Sequence, residues 1–205
     1  MLKYMMLTLV FMLMEVRLSK SNKLKFYYGT ISSGKSLEIL RTYYLNRDSK
    51  KIALVKPSVD TRNIGVIYTR FGDQTKECIT WNENETLSQI LGETKYDMIL
   101  IDECQFLNDK QLNEINDLYL EFDVDINLYG LLRDYQQNIF RASMVILGMC
   151  DSIIEMTSKC HTCGEDAKQS ARIENGKVVY EGNLISVGFN YVPLCNYCYL
   201  NGVLK

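Results

Sequence analysis

The chain has 205 residues, of which 47% are hydrophobic, a composition that excludes wholesale disorder. Its 23 basic and 25 acidic residues give a net charge of −2, which excludes a strongly basic protein that binds nucleic acid through its overall charge. The single histidine, His161, excludes a metal site with several histidine ligands and leaves carboxylates as the main candidates for a general base.

The N-terminal residues differ from the rest of the chain. Residues 4–14 form an apolar run that is too short to cross a bilayer as a helix, which takes about 20 residues. The run has the length of a signal-peptide core, but no small-x-small cleavage site follows it. A start of translation at one of the later methionines is a third interpretation. We expect residues 1–23 to be a non-catalytic extension of a cytoplasmic protein without stable membrane insertion.

Strands and helices are predicted to alternate from residue 24 onward. This alternation favours an α/β fold, with a mainly parallel sheet covered by helices on both faces. Residues 24–158 are predicted to form this domain, and residues 159–205, with Cys pairs and Gly turns, a second small module. Residues 61–76 are polar and turn-rich and are predicted to be a loop. The predicted strands are 24–28, 51–56, 98–102 and 126–130, and the predicted helices are 35–47, 140–149 and one capped by Asn108 that runs to residue 122.

A phosphate-binding motif lies between the first predicted strand and the first predicted helix. It matches the pattern GxxxxGK[ST], in which backbone N–H groups surround an anion at the helix N-terminus. Lys35 would reach the β- and γ-phosphates of a nucleotide, and the Ser36 hydroxyl would bind Mg²⁺. An ordinary Gly turn with a surface lysine is the alternative interpretation. The motif consists of Gly29, Thr30, Ile31, Ser32, Ser33, Gly34, Lys35 and Ser36.

Two acidic residues, Asp102 and Glu103, follow the apolar strand predicted at 98–102. In P-loop enzymes an acid in this position holds Mg²⁺, and a neighbouring group orients the nucleophile. The two side chains would point to opposite sides if the strand continued. This arrangement suits one acid for the metal and one for the nucleophile, and because no second histidine is available, Glu103 is the best candidate for the general base. These motifs do not separate a kinase from a P-loop ATPase whose second module binds nucleic acid or protein.

Two CxxC pairs predict a structural zinc site. Four thiolates suit tetrahedral Zn²⁺ and leave no open position for catalysis. A disulfide pair or four unrelated thiols are the alternatives. The other cysteines, Cys78, Cys104 and Cys150, are scattered and are interpreted as packing residues. The predicted zinc ligands are Cys160, Cys163, Cys195 and Cys198.

The P-loop, the Asp102-Glu103-Cys104-Gln105-Phe106 segment and the Cys pairs together resemble the cytosolic (type II) thymidine kinase family, over about residues 24–199. The resemblance implies a P-loop (RecA-like) sheet with a zinc-binding lasso module, and transfer of the ATP γ-phosphoryl group to thymidine. It implies an ATP–Mg²⁺ site that includes Asp102, Cys104 and Gln105. Glu103 would accept the proton of the thymidine 5′-hydroxyl.

The resemblance also implies the residues around thymidine. Asp60 and Arg62 match a DxR element near the substrate and the phosphates. A lasso between the Cys pairs would close over thymine with backbone groups. Relatives are homotetramers that thymidine triphosphate inhibits, so we expect both properties, and we expect no nucleic acid partner. The implied pocket residues are Ile31, Phe106, Leu131, Tyr135 and Phe140, and the implied lasso residues are Leu184, Ile185, Ser186, Val187, Gly188 and Tyr191.

Overall fold

The computed structural model of the protein describes residues 23–61, 63–69, 72–182 and 190–204. The predicted extension up to residue 22 lies outside these ranges, as does Arg62. The same holds for most of the predicted lasso, namely Leu184, Ile185, Ser186, Val187 and Gly188. The predictions for these residues therefore stay predictions.

Strands and helices alternate along the described chain, as the sequence predicts. The strands are β1 (Leu24–Gly29), β2 (Ile52–Pro57), β3 (Val66–Thr69), β4 (Gln74–Glu77), β5 (Ile79–Trp81), β6 (Met98–Ile101), β7 (Asp125–Gly130), β8 (Ser152–Met156), β9 (Gln169–Glu174), β10 (Lys177–Val179) and β11 (Asn190–Leu194). The helices are α1 (Lys35–Asn46), α2 (Leu87–Leu91), α3 (Asp109–Glu121), α4 (Arg141–Met149) and α5 (Asn196–Leu200), and Cys104–Phe106 form a 3-10 turn.

A six-stranded sheet in the order β5-β2-β6-β7-β1-β8 forms the centre of the molecule. All of its neighbouring strands run parallel. Strands β6 and β7 are buried along most of their length, because they lie inside the sheet and helices cover both of its faces. The carboxyl ends of β1 and β6 therefore meet at the same edge, with β7 between them.

Helices cover both faces of the sheet, which confirms the predicted fold class. On one face, Ile39 and Leu40 of α1 pack with Leu100 and Tyr129 of the sheet. The opposite face is covered by α2, α3 and α4. The side chains there that pack in one apolar cluster with the sheet include Leu87, Leu112, Ile115, Ala142 and Ile146.

The helix boundaries follow from local chemistry. The side chain of Asn108 accepts a hydrogen bond from the backbone N–H of Gln111, and the Gln111 side chain accepts one from the N–H of Asn108. This capping box starts α3 where the sequence predicts. Within the described residues no helix combines the length and apolar character required to cross a bilayer.

The prediction of a loop over residues 61–76 is wrong in part. This stretch contains β3 and most of β4, which pair antiparallel. The pairing is stabilised because Ile67 of β3 is fully buried against the cluster that contains Leu40 of α1. The short elements β5 and α2 and the edge strand β8 were not predicted from the sequence.

The C-terminal part has a separate three-stranded antiparallel sheet in the order β10-β9-β11. Its own small apolar cluster contains Ala171, Leu194 and Tyr199 together with two of the Cys-pair sulfurs, Cys160 and Cys198. We call residues 159–205 the zinc module. The boundaries at residues 23 and 158 remain predictions.

Candidate active site

The P-loop connects β1 to α1 at the carboxyl edge of the sheet. Gly34 precedes α1 with φ +85°, a left-handed conformation that glycine adopts without a steric penalty. A Cβ atom added to Gly34 would meet nothing within 4 Å, so the space above the N-terminus of α1 is open. This open space and the helix N-terminus fit a bound phosphate group.

Lys35 lies inside the curve of the P-loop and is buried. Its Nζ donates to the carbonyl oxygen of Thr30 at 2.8 Å and to that of Gly29 at 3.2 Å, and it lies 3.3 Å from the hydroxyl of Ser33. The loop thus holds the ammonium group at the place where it would meet the phosphates.

Ser36 and Asp102 bring two oxygen ligands together. The hydroxyl of Ser36 donates to Oδ2 of Asp102 over 3.4 Å. Burial, together with the negative charge of Glu103, raises the pKa of the Asp102 carboxyl to about 7. The pair fits Mg²⁺, because hydroxyl and carboxylate oxygens are ligands for this ion and its charge would favour the ionised carboxylate.

Glu103 has an unusual backbone conformation at the end of β6. The strand ends at Ile101, and Glu103 has φ 52° and ψ 37°, which is left-handed for a residue with a side chain. The strand therefore does not continue through Asp102 and Glu103, so the expectation that their side chains point to opposite sides of a strand does not apply. The turn presents the half-buried carboxylate of Glu103 at the edge of the sheet beside Asp102.

Gln105 links Glu103 to the end of β7. Its Nε2 donates to Oε2 of Glu103 at 2.5 Å, and its Oε1 accepts a hydrogen bond from the backbone N–H of Leu131 at 3.0 Å. A Cβ atom at Gly130 would lie 2.6 Å from Oε1 of Gln105 and 2.7 Å from Sγ of Cys104. Only glycine at this position leaves room for Gln105. Cys104 itself is fully buried in the core, which agrees with its interpretation as a packing residue.

Asp60 lies beyond the end of β2 and forms a buried ion pair that the sequence did not reveal. Nζ of Lys56 lies 2.8 Å from Oδ2 of Asp60, and both side chains are less than 10% exposed. The positive charge of Lys56 also lowers the pKa of Asp102, against the larger effect of burial. The sequence signal that could have indicated this ion pair is Lys56, a charged residue near the end of an otherwise apolar strand.

Four aromatic side chains, which we call the aromatic wall, come together in two pairs. The rings of Phe106 and Phe140 meet edge to face with centroids 6.0 Å apart. The rings of Tyr135 and Tyr191 meet in the same way at 6.5 Å. The structure thus pairs four residues that the family resemblance assigns to the nucleoside pocket and the lasso.

The four cysteines of the two CxxC pairs form one cluster. Their sulfur atoms all lie within 4.8 Å of one another, and the sulfurs of Cys163 and Cys195 are 3.6 Å apart. A tetrahedral zinc site with Zn–S bonds of about 2.3 Å has sulfur–sulfur distances of about 3.8 Å, so the cluster is compatible with zinc. The thiols are free and not joined in a disulfide.

The electrostatics of Cys160 also fit a metal ligand. Burial opposes ionisation of its thiol, but backbone N–H groups of Cys195, Cys163 and Thr162 lower its pKa to about 6, whereas the pKa values of Cys163 and Cys198 are raised by burial and by the neighbouring thiols. A thiolate is the form that binds a metal ion.

Two hydrogen bonds that hold the P-loop, one from the zinc module and one from the residue directly before it, were not predicted from the sequence. The backbone N–H of Ile31 donates to the hydroxyl of Ser170 in β9 at 2.9 Å. The hydroxyl groups of Thr30 and Ser158 lie 2.7 Å apart. No local signal identifies these serines, because the contacts join residues more than 120 positions apart in the sequence.

A parallel sheet with a P-loop after β1, and a hydroxyl and a carboxylate together at its carboxyl edge, defines a P-loop enzyme of the phosphoryl-transfer class. The family model described as thymidine kinase matches residues 22–199. The chain therefore belongs to the thymidine kinase family, and the family predicted from the motifs is confirmed.

Curated thymidine kinases are similar to this chain over nearly their whole length. The chain is 35% identical to the thymidine kinase of Streptococcus agalactiae serotype Ia over 185 residues, which cover 87% of this chain and 97% of the relative. It is 34% identical to that of Lactobacillus acidophilus over 192 residues, with 87% and 96% covered. For the enzyme of Streptococcus pyogenes serotype M3 the identity is 34% over 185 residues, with 87% and 97% covered.

Proposed function

We propose that the protein transfers the γ-phosphoryl group of ATP to the 5′-hydroxyl of thymidine and so produces thymidine monophosphate. The observation that carries this proposal is the convergence of Ser36, Asp102 and Glu103 at the carboxyl edge of the sheet. Membership of the thymidine kinase family supports the choice of thymidine as the acceptor.

Lys35 and the backbone N–H groups of the P-loop would stabilise the negative charge on the phosphoryl group in the transition state. Mg²⁺, held by Ser36 and Asp102, would neutralise charge on the phosphate oxygens. Glu103 would accept the proton of the 5′-hydroxyl as general base. Gln105 would orient the Glu103 carboxylate through the hydrogen bond between them.

We propose a nucleoside pocket bounded by Ile31, Leu131 and the aromatic wall, with Asp60 near the phosphates. The edge-to-face packing of the two aromatic pairs supports this assignment. Arg62 and the lasso residues 184–188 complete the pocket in the proposal, on the family resemblance alone. Backbone groups around the thymine edge would exclude other bases, because a mismatched base would leave buried polar groups unpaired.

We propose a structural zinc ion at Cys160, Cys163, Cys195 and Cys198. The mutual distances of the sulfur atoms support it. The ion would hold together the two ends of the 164–194 segment, and it would take no part in the phosphoryl transfer because four thiolates fill its coordination sphere.

The proposal extends to the assembly, regulation and location of the protein. A homotetramer that thymidine triphosphate inhibits follows from the family resemblance, and so does a location in the cytoplasm. Sedimentation of the purified protein tests the tetramer, and titration of thymidine triphosphate into the kinase reaction tests the inhibition.

The deciding experiment measures formation of thymidine monophosphate from ATP, Mg²⁺ and thymidine by the unchanged protein and by Glu103→Gln. We expect kcat of the variant to fall by about 10²- to 10⁴-fold, since it lacks the general base. Glu121→Gln, at the exposed end of α3, is the matched control and should keep full activity.

Each part of the proposal has an outcome that contradicts it. Absence of thymidine monophosphate with the unchanged protein would refute the kinase activity, and ATP hydrolysis independent of thymidine would favour the P-loop ATPase. A fully active Glu103→Gln variant would remove Glu103 from the role of general base.

A further inference from the structure

A buried hydrogen bond joins the zinc module to Tyr135 of the aromatic wall. Tyr199 lies in α5, directly after the predicted zinc ligand Cys198. Its hydroxyl donates to the backbone carbonyl oxygen of Tyr135 at 2.6 Å. Tyr199 is 2% exposed and Tyr135 is 3% exposed, so water does not replace this bond easily.

The position of Tyr199 is itself fixed by the zinc module. The hydroxyl of Tyr180 donates to the carbonyl oxygen of Tyr199 at 2.6 Å, and the two rings meet edge to face at 5.2 Å. These two contacts hold the backbone and the ring of Tyr199 within the zinc module.

Tyr135 is held by the zinc module on its side chain as well as on its backbone. The guanidinium group of Arg172 in β9 lies 5.3 Å from the centroid of the Tyr135 ring, a cation–π contact. The next residue, Gln136, donates from Nε2 to the carbonyl oxygen of Gly182 at 3.2 Å. Gly182 is the last described residue before the predicted lasso.

The segment that carries Tyr135 connects the end of β7 to α4. Its turn is organised by Asp134, whose Oδ1 accepts from the backbone N–H groups of Gln136 and Asn138. Farther along, the hydroxyl of Ser143 donates a hydrogen bond to the carbonyl oxygen of Leu131 at 2.6 Å. The hydrogen bond from Tyr199 links the middle of this segment directly to the residue beside a metal ligand.

We propose that Tyr199 is a positioning residue that couples the cysteine cluster to the nucleoside pocket by holding the backbone of Tyr135. This inference rests on the proposed function for one point, that Tyr135 faces the nucleoside. Removal of the hydroxyl would leave the Tyr135 carbonyl oxygen buried without this donor, so residues 131–140 would shift or loosen. The zinc module would then act on substrate binding as well as on folding.

The test compares Tyr199→Phe with Tyr197→Phe in the zinc-loaded protein. Both substitutions remove one hydroxyl from α5, but Tyr197 is 71% exposed. Metal analysis should find the same zinc content in both variants, because neither removes a cysteine. Hydrogen–deuterium exchange should be faster over residues 131–140 in Tyr199→Phe, and it should match the unchanged protein in Tyr197→Phe.

The kinetic readout separates positioning from a loss of stability. We expect Tyr199→Phe to raise KM for thymidine by about three- to tenfold, the effect of one buried hydrogen bond, with KM for ATP unchanged. A mere loss of folded protein would lower the apparent kcat and leave both KM values unchanged.

The outcomes distinguish this inference from the proposed function. If the unchanged protein has no thymidine kinase activity, the proposed function fails and the exchange experiment alone decides the coupling. Unchanged exchange at residues 131–140 in Tyr199→Phe would overturn the inference. So would faster exchange spread evenly over all strands, or an equal effect of Tyr197→Phe.

Discussion

The proposed phosphate end and the proposed nucleoside end of the candidate site are built differently. At the phosphate end, Lys35 and Ser36 belong to one P-loop directly after β1, and Asp102 directly follows β6. At the nucleoside end, the aromatic wall collects side chains from a 3-10 turn, from the connection between β7 and α4, and from β11 of the zinc module.

This difference separates what local sequence determines from what tertiary packing determines. The P-loop needs only a strand, glycines that permit the turn, and a helix N-terminus, all within residues 24–36. The nucleoside end needs contacts between distant segments, such as the bond from Tyr199 to Tyr135 across 64 positions. Damage to the zinc module should therefore affect the nucleoside end far more than the phosphate end.

Among the substitutions that test this comparison, Lys35→Ala should have the largest effect, and it should impair only the phosphate end. We expect kcat/KM for ATP to fall by about 10²- to 10³-fold, because the charge beside the transferred phosphoryl group is lost. Calorimetric titration should still detect thymidine binding. Lys110→Ala, with a side chain 52% exposed on α3, is the control and should be fully active. Loss of thymidine binding in Lys35→Ala would show that the two ends are not separate.

Loss of the proposed zinc ion should have the next largest effect and should impair the nucleoside end. We expect Cys163→Ser to lose the metal and to lower thymidine turnover by at least about tenfold. Binding of an ATP analogue should stay within a few-fold of the unchanged protein, because the P-loop lies in the central sheet. Cys150→Ser, outside the cluster, should retain its zinc. Equal losses at both ends would contradict the comparison.

The sequence predicted the local features of the phosphate end and the start of α3. Gly34, Lys35, the acids after β6 and the helix cap at Asn108 each depend on neighbouring residues. The four cysteines were also predicted, because each CxxC pair is a local turn.

The remaining contacts could not be predicted, because they depend on how distant segments pack. Lys56 was predicted to end a strand and Asp60 to belong to the DxR element, and neither prediction indicates that the two form an ion pair. Ile67 was assigned to a loop although it is fully buried. The bond from Leu131 to Gln105 depends on the pairing of β6 with β7.

Gly130→Ala should have a moderate effect at the junction of the two ends. The added Cβ would lie 2.6 Å from Oε1 of Gln105, so the side chain that orients Glu103 must move. We expect a loss of about 1–3 kcal/mol in the free energy of unfolding, together with a lower kcat. Gly148→Ala in α4 meets no atom within 4 Å and should raise stability by up to about 1 kcal/mol. Denaturant unfolding measures the stability of both variants, and steady-state kinetics measure their kcat. A Gly130→Ala variant with unchanged stability and kcat would refute the close packing of Gly130 against Gln105.

Ser170→Ala should have the smallest effect and tests how the two ends are joined. The substitution leaves the backbone N–H of Ile31 without its acceptor, at a cost of about 1 kcal/mol, which corresponds to a fall in Tm of about 2–4 °C. Ser158→Ala removes the neighbouring contact to Thr30 and should cost no more. If Ser158 and Ser170 hold the P-loop as one unit, the double variant should lose less stability than the sum of the single variants, because the first loss already loosens the second contact. Additive losses, measured by thermal unfolding, would show that the two contacts act independently.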